Sequence, residues 1–201
     1  MLKSCLKVSV VLGVVVLAGA GVMGWAWTPP PPAKALTNAE INTILTQAAT
    51  AAAAEVSLLR VGEKTKMHIF IVDRAGKVIG SRSMPDAWFG SISIAKAKAF
   101  TAMAFSSNTN ALTTRSIGAL TQDKGPLWNI GNSNRGEHGI IEFPGGVPIY
   151  KGGELVGGLG VSGDGVQQDE NVAVAGVVGF EAPVAIRINT VTKGAVPYTT
   201  P

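Results

Sequence analysis

Residues 143–180, FPGGVPIYKGGELVGGLGVSGDGVQQDENVAVAGVVGF, constrain the fold of this chain more than any other stretch. Val147, Ile149 and the run 155–161 supply strand residues on either side of a polar turn at Lys151, Gly152, Gly153 and Glu154, which predicts a hairpin. Gly157, Gly158 and Gly160 fall inside the second strand. A glycine there weakens pairing and marks a bulge or the close approach of another backbone or a ligand. Residues 162–165 make a tight reversal, and 166–180 carry helical spacing with a small-residue face at Val172, Ala175, Gly176 and Gly179. Such a face asks for tight packing.

The rest of the chain supplies a second hairpin and more helices. Thr37 with Glu40 is a capping box and Leu36 with Ile41 the matching hydrophobic staple, so a helix starts here, and its apolar stripe runs to about Arg60. Residues 67–72 and 77–83 flank a turn at 73–76. A helix capped by Ser91 or Ser93 follows, with Ala95, Ala99, Ala102 and Met103 on one side, then a short helix capped by Asn108 or Thr109 and running through Leu112. Residues 121–139 read as a long polar loop. The tail, 183–201, reads as an extended arm, added to a sheet edge or laid on a neighbour. The order α-β-β-α-α-β-β-α, with no helical crossover between paired strands, predicts an α+β fold: an antiparallel sheet of two hairpins flanked by helices.

Residues 1–27 stand apart. Lys3 and Lys7 precede an apolar run, 8–27, of about the length that spans a bilayer. It is a signal peptide, with an A-x-A-like site at Ala18–Ala20, or a membrane anchor with Trp25 and Trp27 at the interface. Residues 28–35 form a proline-rich spacer, and a domain over 36–182 lies outside the cytoplasm, periplasmic or extracellular. Cys5 is the only cysteine, so beyond residue 27 there is no disulfide and no cysteine ligand. The same residues hold fifteen basic and thirteen acidic side chains, scattered rather than striped, which argues against nucleic acid.

Little of this chemistry is that of an enzyme. Gly158, Gly160 and Gly163 match G-x-G-x-x-G literally, but two of them lie within a strand, where a dinucleotide fingerprint does not work. The amides at 162–165 are an alternative anion site. His68 reads as a hydrogen-bonded core residue, and His138 as the better candidate axial or metal ligand. Met84 is a soft ligand or an adaptable filler. Lys96 and Lys98 point to different helix faces, so that one meets a carboxylate or propionate.

FPGGVPIYKGGELVGGLGVSG with QQDENVAVAG resembles the GlcG/HbpS-like haem-binding (haem-degrading) family, as do MHIFIVDRAGKVIGSRSMPDAW and SISIAKAKAFTAMAF. The resemblance implies haem or a related tetrapyrrole as cofactor and homo-oligomers. It also implies that Met84, Lys98, Thr109 and Asp169 occupy motif positions, with Thr109 the matching hydroxyl near which a haem would lie. The expectation is an exported, non-catalytic binding protein contacting its cofactor through His138, Thr109, Met84 and Lys98. The alternative is an accessory subunit of a larger membrane-bound periplasmic redox complex.

Overall fold

The structure, a computed structural model, describes residues 35–130 and 139–200. The expected leader or anchor, nearly all of the spacer and His138 lie outside the described residues. Helix α1 (Asn38–Ala54) opens on the capping box: Thr37 accepts from the Glu40 amide, and the Glu40 carboxylate accepts from the Thr37 amide at 2.7 Å. It ends six residues before the expected Arg60. The amides of Leu58 and Leu59 and the hydroxyl of Ser57 all donate to the Asp164 carboxylate, which holds this segment in a loop. A side chain more than a hundred residues away thus overrides the local helical pattern.

Strands β1 (His68–Asp73) and β2 (Val78–Ser83) form the first hairpin, and β3 (Gly146–Lys151) and β4 (Glu154–Ser162) the second. Gly152 and Gly153 both adopt positive φ, as a two-residue hairpin turn between right-twisted strands demands. The hairpins join through β1 and β4, from His68 opposite Ser162 to Asp73 opposite Gly157, giving an antiparallel sheet of order β2-β1-β4-β3.

Helix α2 (Ser91–Ala104) crosses one face of this sheet. It starts from Gly90 with no side-chain cap, so Ser91 is its first residue and neither Ser91 nor Ser93 is the cap. A β-carbon at Gly158 would meet the Ala99 carbonyl, and one at Gly160 the Ala95 carbonyl and the Ala99 amide, so the helix backbone rests directly on the strand. On the other face α1 and α4 (Val166–Gly176) cover Ile69, Ile71, Leu159 and Val161. Gly176 closes that layer, because a β-carbon there would lie 2.9 Å from the Ala48 side chain and 2.7 Å from Leu159.

Two expectations are corrected here. The short helix is α3 (Thr114–Leu120), capped by Thr113 in a box with Ser116; it does not run through Leu112 from a cap at Asn108 or Thr109. Asn108 instead accepts the Leu155 amide at 2.8 Å, and Ser107 accepts the amides of Thr109 and Asn110, which fixes a loop. The tail is not extended. It makes a 3₁₀ turn (Val184–Ile186) and α5 (Ile188–Val191) and returns to its own domain, where Tyr198 is buried with Leu112, Ile117, Tyr150 and Leu155. The Tyr198 carbonyl accepts from the buried Thr113 hydroxyl.

Two outcomes test this packing. Gly160→Ala should lower stability by about 3 kcal/mol, near the upper end for overpacking because the obstacle is backbone, while Gly90→Ala, with open space around it, should change it by less than about 1 kcal/mol; urea midpoints measure both. The second concerns pH. Glu40 is held at about 2, against 4.5 ordinarily, first by the hydrogen bond from Lys151 and then by Thr37. A depressed folded-state pKa stabilises above the unfolded value and loses that contribution as pH falls through the folded one. The melting-temperature gap between wild type and Glu40→Gln should therefore be full at pH 6 and close between about pH 4.5 and 2.

Candidate functional site

Lys98 sits in the middle of α2 on the side facing the sheet and has no exposed surface. Its Nζ donates to Asp169 Oδ2 at 2.6 Å and to the Val161 carbonyl at 3.0 Å, tying α2 to α4 and β4 at one point. Asp169 is equally enclosed, and its other oxygen accepts the Asp164 amide at 3.2 Å. Phe143 covers the ammonium with its ring centroid 5.1 Å away. Gly145 completes the enclosure: its φ is +116°, and a β-carbon there would stand 2.7 Å from Nζ. Burial pushes Asp169 up and Lys98 down from their ordinary values, while their mutual attraction opposes both shifts. The resemblance assigned Lys98 to a cofactor, but its ammonium is fully engaged inside the fold. Of the two lysines, Lys98 is the one that meets a carboxylate, as expected, while Lys96 lies half-buried over the Phe70 ring at 5.2 Å.

Thr109 lies on the exposed loop between α2 and α3. The loop is firmly held. Tyr150 donates to the Ser107 carbonyl at 2.6 Å, Asn108 accepts from Leu155, and Ser106 bridges the Leu112 amide and carbonyl at 3.0 Å. Burial pushes the Tyr150 hydroxyl up to about 12, so it stays a donor at any physiological pH. The result is a rigid ledge presenting the Ser107 and Thr109 hydroxyls, 3.3 Å apart, to solvent.

Met84 packs against the main core, and its sulfur accepts the Met67 amide at 3.4 Å. It lies beside the His68 and Ser162 end of the sheet, whereas the Thr109 ledge grips Leu155 at the other end, some ~20 Å along β4. The two do not converge. His68 is buried, with Nδ1 2.7 Å from the Ser83 hydroxyl and Nε2 3.1 Å from the Trp88 carbonyl; since a carbonyl only accepts, Nε2 carries the proton.

The candidate anion site at the start of α4 is already filled from within. The Asp164 amide goes to Asp169 and the Gly165 amide to Asp164 at 2.9 Å. Burial alone would raise Asp164, but hydrogen bonds from Ser57 and the amides of Gly165, Leu58 and Leu59 hold it below the ordinary carboxylate range. The sequence reading also missed the buried Glu170, which takes Arg115 Nε at 2.8 Å and the Thr200 hydroxyl at 2.5 Å. No cluster of metal-ligating side chains occurs among the described residues. Two hollows do. One of about 310 Å³ is lined by Thr121, Trp128, Asn129 and residues 140–143. The other, about 550 Å³, lies between the start of α1 and the β1–β2 turn.

Comparison with known proteins places this architecture. A family profile described as haem degrading protein HbpS-like matches residues 36–178. The corrinoid adenosyltransferase PduO of Citrobacter freundii is 33% identical over 71% of this chain, which spans only 38% of that protein's length. The crystal structure of a PduOC:heme complex superposes with a TM-score of 0.62 at 26% identity, over 74% of this chain and 97% of the other. That of HbpS superposes at 0.55 with 23% identity, over 75% and 94%, and shows the shared fold.

The Lys98–Asp169 pair yields a direct test. Lys98→Met or Asp169→Leu alone should each cost about 3–5 kcal/mol by stranding a buried charge, and the double replacement should cost clearly less than their sum. Urea denaturation of the four proteins closes the cycle.

Proposed function

The chain belongs to the HbpS-like family of haem-degrading proteins, and from that premise we propose that it binds haem or a related tetrapyrrole without transforming it. The observation that carries this reading is the likeness to the PduOC:heme complex along nearly the whole of that chain. The non-catalytic part rests on the buried ionisable groups. Lys98 with Asp169 and Arg115 with Glu170 are committed to each other, and among the described residues the buried titratable group at the Thr109 ledge is Tyr150, whose hydroxyl donates to the Ser107 carbonyl. The adenosyltransferase activity named for PduO belongs to a protein more than twice as long as the stretch matched here.

In this proposal Thr109, on its tethered ledge, and His138 contact the ligand. Met84 and Lys98 act indirectly, through the packing around them. We further propose that the protein is exported through residues 8–27 and works as a homo-oligomer, as the family resemblance implies. The accessory-subunit alternative draws on the 121–139 insert, the C-terminal arm and residues 8–27, and of these the arm is folded onto its own domain.

Haemin titration followed at the Soret band tests the reading. Wild type should give a saturable band, and Thr109→Ala and His138→Ala should each weaken binding about tenfold, some 1.4 kcal/mol. No band at any haemin concentration removes the ligand, and unchanged affinity in both variants removes the site.

A further inference from the structure

The larger hollow is built differently from the ledge. Its floor is apolar, made by Leu36 and Ile41 of the α1 entry, Ile79 of β2 and Val156 of β4. Arg74 and Lys77 of the β1–β2 turn stand exposed at its rim. Neither forms an ion pair or a side-chain hydrogen bond with another described residue. The carboxylates nearby are already engaged. Asp73, which lines the hollow, accepts the amides of Ala75 at 2.8 Å and Lys77 at 3.0 Å, and Glu40 is paired with Lys151 at 2.8 Å.

Two cations in a solvated turn would be ordinary by themselves. Placed over an apolar floor in a hollow of about 550 Å³, within the usual ligand range, they complement a molecule that is apolar at one end and anionic at the other. We infer that this groove binds an amphipathic organic carboxylate, its apolar body on Ile41, Ile79 and Val156 and its carboxylate between Arg74 and Lys77. Leu155 packs in the cluster of Leu112 and Tyr150 beneath the Thr109 ledge, whereas Val156 packs in the separate cluster of Ile41 and lines the groove. The inference stands independently of the haem reading.

Such a carboxylate could be a fatty-acid chain or a tetrapyrrole propionate, and competition separates them. The full-length protein is titrated with cis-parinaric acid, a carboxylate that fluoresces in apolar surroundings. Saturable binding is expected, weakened at least tenfold in Arg74→Gln/Lys77→Gln, blocked in Ile79→Trp, and unaltered in Thr109→Ala. Dodecanoate should displace the probe at concentrations at least tenfold below those needed for dodecanol. Displacement by haemin as well identifies the groove as a tetrapyrrole site, and displacement by dodecanoate alone as a fatty-acid site. Absence of saturable binding to wild type, or equal affinity in the double charge variant, overturns the proposal. Loss of binding in Thr109→Ala also overturns it, by placing the probe on the ledge. A protein that fails the Soret titration but passes this one separates the two readings.

Discussion

The backbone of α2 rests on the backbone of β4, and the rest of the structure follows from that contact. It requires Gly158 and Gly160, because any β-carbon at either position would enter the α2 main chain. Glycine costs conformational entropy in a strand, and here the cost is offset by layers close enough for Lys98 to reach both the Val161 carbonyl and Asp169. A buried ion pair contributes little net stability, since desolvation offsets most of the attraction. Breaking it is costly, because with one partner missing the other charge is left buried and unpaired. Gly145, pressed against the same ammonium, extends the constraint into the approach to β3.

A domain closed this tightly keeps its chemistry at the surface. The buried pairs Lys98–Asp169 and Arg115–Glu170 serve one another, and Gly158 and Gly160 face helix backbone rather than an open cleft. The candidate places for a ligand are peripheral: the hydroxyls of a loop held by Tyr150 and Asn108, the hollow at Thr121, Trp128 and residues 140–143, and a groove rimmed by Arg74 and Lys77. Binding at such places needs no opening of the core.

How much of this could be read from the sequence depended on distance along the chain. The α1 capping box, both hairpins and the close approach at the β4 glycines are local signals, and each is where the residues put it. The end of α1 was misplaced because its cause, the Asp164 carboxylate, lies 106 residues from the Leu58 amide it captures. The cap of α3 was misplaced because Asn108 looks like a capping residue but serves Leu155, 47 residues on. Lys98 was singled out, yet its partner is 71 residues away and no spacing rule links them. The tail looked extended because Thr113 and Ser116, which hold its last turn, sit more than eighty residues earlier. The groove carried no signal as a whole, since the Leu36–Ile41 staple, the turn with Arg74 and Lys77, and Val156 meet only once the sheet is assembled.

Amide hydrogen exchange, with and without haemin, tests most directly the claim that this is a closed core with peripheral binding. Amides of α2 and β4 should exchange only through global unfolding, at a rate haemin alters no more than it alters overall stability, while protection rises locally at residues 105–113. Exchange of α2 and β4 through a lower-energy local opening that haemin suppresses would contradict the account, because it would show a ligand entering between the layers that the glycines hold together.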